Sequence, residues 1–259
     1  MPEYSNTDQQ IHFICQVIAK VNRSLVPERE DDSHTNLFFD SLSNRIYGRW
    51  FTVNSNKYIL FFDLNSQSIS LQNQYYQILQ SVKIYRKKIT DLETELSSVL
   101  KKIGVTESNL MAPLHFEIPD YPFSNSAFEN FSEDKLQEWI KYRTLANTAC
   151  YTLLGHLQSE SEVRIWPHHF DTGIYSEIND KTGIGFGLAM KDEMVGEPYF
   201  YFSGYGLNEH AVDYTRAKPL SKGRWITEGW KGGVLPLSQA DEESIYTFLK
   251  ETTEWALSN

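Results

Sequence analysis

The sequence predicts an α+β fold, with antiparallel sheets flanked by long helices in two similar helix–strands–helix halves. Three observations predict it. Apolar residues recur at helical spacing in four separated stretches. Between these, runs rich in Ile, Val, Phe and Tyr alternate with a two-residue period and break at Asn, Ser and Gly. The order long helix, several strands, helix then occurs twice, with Phe38-Phe39-Asp40 and His169-Phe170-Asp171 at matching places.

The first helix follows from Ile11, Ile14, Cys15, Ile18, Val21 and Leu25, with Thr7 and Gln10 as a capping pair and Pro27 as its stop. Thr35 to Asp40, Arg45 to Val53, Lys57 to Asp63 and Ser68 to Gln72 read as strands, and the alternation continues through Tyr76, Ile78, Val82 and Ile84. Ile89, Leu92, Leu96, Val99, Leu100 and Ile103 switch to a helical period that Gly104 ends, and Leu114 to Ile118 reads as a closing strand. Ser132 can cap a helix carrying Leu136, Trp139, Ile140, Cys150, Leu153, Leu154 and Leu157. Val163 to Phe170, Gly173 to Ile178, Gly183 to Met190 and Pro198 to Gly204 read as strands, Leu207 to Pro236 as a loop region. Ser238 then caps a last helix with Ile245, Phe248, Leu249 and Trp255 inward.

The length of 259 residues suits one large domain or two ordinary ones. The expected division is residues 1–120 and 132–259, joined by a linker at 121–131 whose four Phe and Tyr residues lay it against the body, or a single compact unit. Lys plus Arg is 24 and Asp plus Glu is 34, a net charge of −10, which argues against a nucleic-acid partner because phosphate needs a positive footprint. The cluster Lys83, Arg86, Lys87, Lys88 reads as a solvated helix face. Cys15 and Cys150 fall at apolar helical positions, as buried free thiols do. Met1 to Gln10 lacks the apolar stretch of a signal peptide, and no apolar run approaches a membrane span. A cytoplasmic location without a membrane partner is the expectation.

The most distinctive segment is Arg164-Ile165-Trp166-Pro167-His168-His169-Phe170-Asp171-Thr172-Gly173. If it is extended, His169 and Asp171 share one face, and His168 shares the other with Trp166 and Phe170. His169 and Asp171, with His34 or His115, then make a candidate set for a divalent transition metal such as zinc, iron or manganese. In Gly183-Ile184-Gly185-Phe186-Gly187-Leu188 the glycines leave one strand face bare, open to a ligand or to a bulky aromatic from a neighbouring strand. Tyr199 and Tyr201 can stand over that face while Phe200 and Phe202 join the core, with Glu197 at the strand's entrance. Trp225, Glu228 and Trp230 lie among glycines in a loop that either roofs a pocket or buttresses the fold. No nucleophile elbow, dinucleotide fingerprint, phosphate loop or fixed-spacing zinc motif occurs.

Five segments in order, Asp31-Asp32-Ser33-His34-Thr35-Asn36-Leu37, Pro113-Leu114-His115-Phe116-Glu117-Ile118-Pro119, Trp166 to Asp171, Gly196-Glu197-Pro198-Tyr199-Phe200-Tyr201, and Trp225 to Pro236, together resemble a family of uncharacterised bacterial proteins. The chain departs from the family at Ile226, where a histidine is expected, and at Gly233, where alanine or a similar residue is expected. The resemblance implies a bacterial cytoplasmic protein and no particular activity.

Three functions follow from these readings. The first is small-molecule binding in a pocket of the second half lined by His34, His168, His169, Asp171, Glu197, Tyr199, Tyr201, Trp225, Glu228 and Trp230. The second is a metal-dependent hydrolase in which Glu197 or Glu228 activates a bound water. The third is a structural or interaction protein with no site. Whether the chain is an enzyme, and its oligomeric state, are left open at this level.

Overall fold

The computed structural model describes residues 1–208 and 211–258. The chain is α+β, with four α-helices and two antiparallel six-stranded sheets among the described residues. Helix α1 (Pro2–Leu25) precedes β1 (Phe38–Asp40), β2 (Arg45–Tyr47), β3 (Phe51–Val53), β4 (Asn56–Asp63), β5 (Ser68–Asn73), β6 (Ile78–Lys83) and α2 (Ile89–Lys102). Helix α3 (Glu133–Leu157) precedes β7 (Arg164–Ile165), β8 (Thr172–Glu177), β9 (Thr182–Ala189), β10 (Tyr199–Gly206), β11 (Arg224–Ile226), β12 (Gly232–Pro236) and α4 (Glu242–Leu257). The first sheet runs β1-β2-β4-β5-β6, with β3 also on β4, and the second runs β11-β12-β10-β9-β8-β7. No helix among the described residues is long and apolar enough to cross a membrane.

The chain forms two compact units. The first contains Asn6–Ile140 and Ile165–Phe170; the second contains Met1–Ser5, Lys141–Arg164 and Asp171–Asn259. Residues 121–131 lie wholly in the first.

In the first unit, Ile11, Ile14, Cys15, Ile18 and Val21 of α1 are fully buried, as are Phe61, Phe62 and Ile69 of the sheet and Leu92 and Leu100 of α2. The periodicity of α1 therefore selects its core face correctly, although the helix begins at Pro2, ahead of the expected cap. Residues 121–131 do lie against the body. Tyr121 and Phe123 stack at 5.2 Å, Phe13 packs on both and on Phe128, and Gln67 exchanges two hydrogen bonds with the backbone of Phe131.

In the second unit, the large apolar side chains of β9 and β10 fall at every second position. Ile184, Phe186, Leu188, Phe200 and Phe202 are fully buried, and Phe248 of α4 lies with them in the core. Asp241 caps α4 by accepting from the Ser244 amide at 2.7 Å, so the cap sits three residues beyond Ser238.

Six sequence expectations are corrected. The stretch Arg45–Val53 divides into β2 and β3 around Gly48, because Asn22 of α1 hydrogen-bonds the Arg49 amide at 2.9 Å and fills the space where a Cβ on Gly48 would stand. Residues 35–36 are a turn rather than the start of a strand, and residues 114–118 are not a strand. Residues 207–236 contain the β11–β12 hairpin. Lys83 sits in β6 and Arg86 to Lys88 precede α2, so that basic cluster is no helix face. The expected strand Val163 to Phe170 stops after Ile165, with consequences for the site.

Candidate functional site

In the first unit, α1 carries a second pattern beneath its apolar one. Asp8, His12 and Gln16 recur every four residues, which aligns them on one face of the helix, and all three are buried. Each buried polar group needs a partner, and these partners lie far off in sequence. Asp8 Oδ1 accepts from Trp139 Nε1 at 2.7 Å. His12 Nε2 lies 2.7 Å from the carbonyl oxygen of Pro167, which Gln16 Nε2 also reaches at 2.7 Å. A carbonyl can only accept, so Nε2 carries the proton and Nδ1 accepts from the Tyr121 hydroxyl at 2.7 Å. Burial, with the Asp8 charge second, pushes the Tyr121 phenol up, so it keeps the proton it donates.

The double hydrogen bond to Pro167 holds a tight turn. The Phe170 amide donates to the Trp166 carbonyl at 2.6 Å, and Phe170 takes the left-handed conformation at φ +54°. A bulky residue there costs about 1–3 kcal/mol and persists only where its surroundings over-determine it. Those surroundings are visible: the Phe170 ring is fully buried and stacks on His12 at 4.9 Å. The turn overturns the expectation that His169 and Asp171 share a strand face, because the chain is not extended between them. Instead it places His168 and His169 side by side, ring centroids 4.3 Å apart, with His169 exposed and His168 half-buried.

Two more loops meet this turn, both tied to α1. Asn22 Nδ2 donates to the carbonyls of Thr35 and Asn36, each at 3.2 Å, and fixes the 31–36 turn. Arg23 donates to the carbonyls of Pro113 and Ala112 at 2.9 and 3.1 Å and fixes the loop leading to His115. The Phe116 ring then lies 5.4 Å from His168 and 5.2 Å from His115, whose Nε2 is 3.1 Å from Asp32 Oδ2. Asp32, His115, Phe116, His168 and His169 thus form one row of rings and a carboxylate in the first unit. His34, from the same turn as Asp32, is buried, and its Nδ1 accepts from the Arg29 amide at 3.3 Å.

The second unit holds the other expected site residues. Tyr201 faces Gly187, which in turn faces Gly173, so its side chain crosses both and its hydroxyl donates to Asp171 Oδ2 at 2.6 Å. A Cβ on Gly173 would come 2.8 Å from that hydroxyl. The Tyr175 ring lies against Gly183 and the Tyr205 ring against Gly185. Neighbouring tyrosines therefore occupy the bare glycine face. Tyr199 donates to Asp192 Oδ2 at 2.7 Å. Burial, with the acceptor carboxylates next, holds both phenols well above their ordinary range, and burial with the Asp171 charge does the same for the Cys150 thiol. A thiol held in that way is no nucleophile near neutral pH.

Glu197 accepts from the amide and the hydroxyl of Ser238, at 2.9 and 2.8 Å, and so closes the turn before α4. Trp225 packs on Trp255 at 4.7 Å and donates to the Lys218 carbonyl at 2.8 Å. Trp230 lies against Gly232 of its own hairpin, and Glu228 is exposed. Both tryptophan rings therefore pack on the protein's own residues.

Of the four candidate metal ligands, His115 pairs with Asp32, His34 accepts from backbone, Asp171 accepts from Tyr201 and His169 neighbours His168. Among the described residues no group of three or more His, Cys, Asp or Glu side chains is arranged to hold a metal ion. The Asp8–His12–Gln16 column and Phe116 escaped the sequence reading. The four-residue spacing of the column was a legible signal, whereas the placement of Phe116 depends on Arg23 holding its loop. No family model, no curated protein and no solved structure matches this chain, and the row is defined by its own geometry.

Proposed function

We propose that the chain is a small-molecule-binding protein whose ligand rests on the Asp32–His115–Phe116–His168–His169 row of the first unit. The observation that carries this is the left-handed Phe170, a strained buried residue that sets two imidazoles side by side, His169 exposed and His168 half-buried. Strain maintained by surrounding structure is concentrated at sites of function. Three loops separated widely in sequence are held in this arrangement by His12, Gln16, Asn22 and Arg23 of one helix.

The chemistry of the row suits a small polar molecule with a planar part. Imidazoles both donate and accept hydrogen bonds, Phe116 offers an apolar face, and Asp32 accepts. A ligand-observed NMR screen of polar aromatic fragments tests the reading. Fragments that bind should lose binding in His168→Ala and His169→Ala and keep it in His156→Ala, which removes an exposed histidine of α3. Hits unchanged by the first two substitutions, or no hits at all, would remove the proposal. Elemental analysis of the same samples separates an organic ligand from a metal ion held by the imidazoles.

A further inference from the structure

The first sheet ends on β6, and among the described residues no strand pairs with its outer edge. An edge strand presents unpaired amides and carbonyls, and proteins usually blunt it with inward charges, proline or cover. Here Gln77 to Ser81 are all exposed and contain neither charge nor proline. A bulge leaves Leu79 outside the regular pairing with β5, so Ile78 and Leu79, neighbours in sequence, are both solvent-facing, at 49% and 44%. The β5–β6 turn adds Tyr75 and Tyr76 at 71% and 77%, with Trp50 beside Tyr76 at a ring distance of 6.4 Å. Among the described residues, five of the thirteen exposed large hydrophobic side chains lie between residues 75 and 85. A cluster of this kind marks an interaction surface more often than a bare one.

Its charge identifies the partner. In a chain of net charge −10, the run from Asn65 to Thr90 contains no acidic residue and four basic ones, Lys83, Arg86, Lys87 and Lys88. Lys87 is paired with Glu95, and Lys83 reaches the Ser66 carbonyl; Arg86 lies over the Tyr85 ring with its charge still exposed. The edge is thus apolar and aromatic at the turn end and basic at the α2 end. A second copy of this chain would bring the same acid-free edge and no opposite charge.

We propose that β6 is a docking edge for an extended acidic peptide segment of another protein, added as an antiparallel or parallel strand along Gln80–Lys83. The incoming backbone satisfies the free edge, its apolar residues meet Tyr76, Ile78 and Leu79, and its carboxylates meet Lys83 and Arg86.

The test is fluorescence anisotropy of the whole chain with a labelled twelve-residue synthetic peptide alternating Glu with Val and Phe. A matched peptide with Lys in place of Glu, and a single-stranded thymidine oligonucleotide, serve as comparisons. The acidic peptide should bind, the lysine peptide should not, and raising salt should weaken the complex. Backbone amide shifts should move at Gln80 to Lys83. Tyr76→Asn and Lys83→Glu should each weaken binding about tenfold. Tyr76 has φ +62°, a conformation asparagine adopts readily, so that variant keeps its fold. Equal binding of both peptides, unchanged binding by Tyr76→Asn, tighter binding of the oligonucleotide, or a dimer in light scattering that buries β6 would each overturn the proposal.

Discussion

The Trp166–Phe170 turn of the first unit and the tyrosine–glycine face of the second use similar side chains to opposite ends. Both combine aromatic rings with side-chain hydrogen bonds. On the sheet face, Tyr201 and Tyr199 turn their hydroxyls to Asp171 and Asp192, and Tyr175 and Tyr205 cover glycines, so the polar groups satisfy one another. In the turn, the hydrogen bonds run to the backbone from beneath, through His12 and Gln16, and leave His169 exposed and His168 half-buried above a buried Phe170. Ring chemistry alone does not distinguish a site from a brace. What distinguishes them is the partner the fold supplies: carboxylates for the tyrosine hydroxyls on the sheet, and His12 and Gln16 for the backbone of the turn.

Three measurements sharpen or break that comparison. The largest effect belongs to His12→Ala, which removes a stacked buried ring and leaves the Tyr121 hydroxyl without its acceptor. Chemical denaturation should show a loss of about 3–4 kcal/mol, and the imidazole NMR signals of His168 and His169 should shift. If they stay in place, the turn does not depend on α1.

Gly187→Ala comes next. The added Cβ would meet the Thr172 carbonyl oxygen at 2.3 Å and Gly173 Cα at 2.7 Å, both backbone atoms with no freedom to swing away. The expected loss is about 2–3 kcal/mol, with the His168 and His169 signals unmoved. A shift in those signals would show that the sheet face and the turn are not independent.

The smallest effect concerns the phenols. Tyr121, Tyr199 and Tyr201 are held above their ordinary range, mainly by burial. A raised folded-state value means that the native chain holds these protons more tightly than the unfolded one. The resulting stability is complete below about pH 10 and declines as the pH rises further. Ultraviolet titration should therefore show these three ionising only as the fold is lost. Tyr201→Phe should remove one of them from that count and lower stability by about 1 kcal/mol at neutral pH. Normal ionisation near pH 10 in the native chain would refute the buried assignment.

Much of the architecture was legible because it rests on local periodicity. The apolar spacing of Ile11, Ile14, Ile18 and Val21 selects a helix face whatever lies opposite, and the alternation of Phe200 and Phe202 with Tyr199 and Tyr201 assigns the two sides of β10. The candidate site was legible only in its ingredients. His34, His115, His168, His169 and Asp171 could be named, but the assumption of an extended strand grouped them wrongly, since nothing local in Trp-Pro-His-His-Phe announces a left-handed phenylalanine.

The sequence by itself determined the α+β class, the core faces of the helices, the opposite faces taken by Phe and Tyr of β10, and the buried thiols of Cys15 and Cys150, all of which follow from residue type and spacing along a few turns or a single strand. Only the tertiary structure decided that Pro167 would be gripped by His12 and Gln16, that Arg23 would bring His115 and Phe116 beside His168, and that Glu197 and Trp225 would serve the fold. Each of those depends on buried donors and acceptors finding partners dozens of residues away, a requirement that burial imposes and that local sequence does not encode.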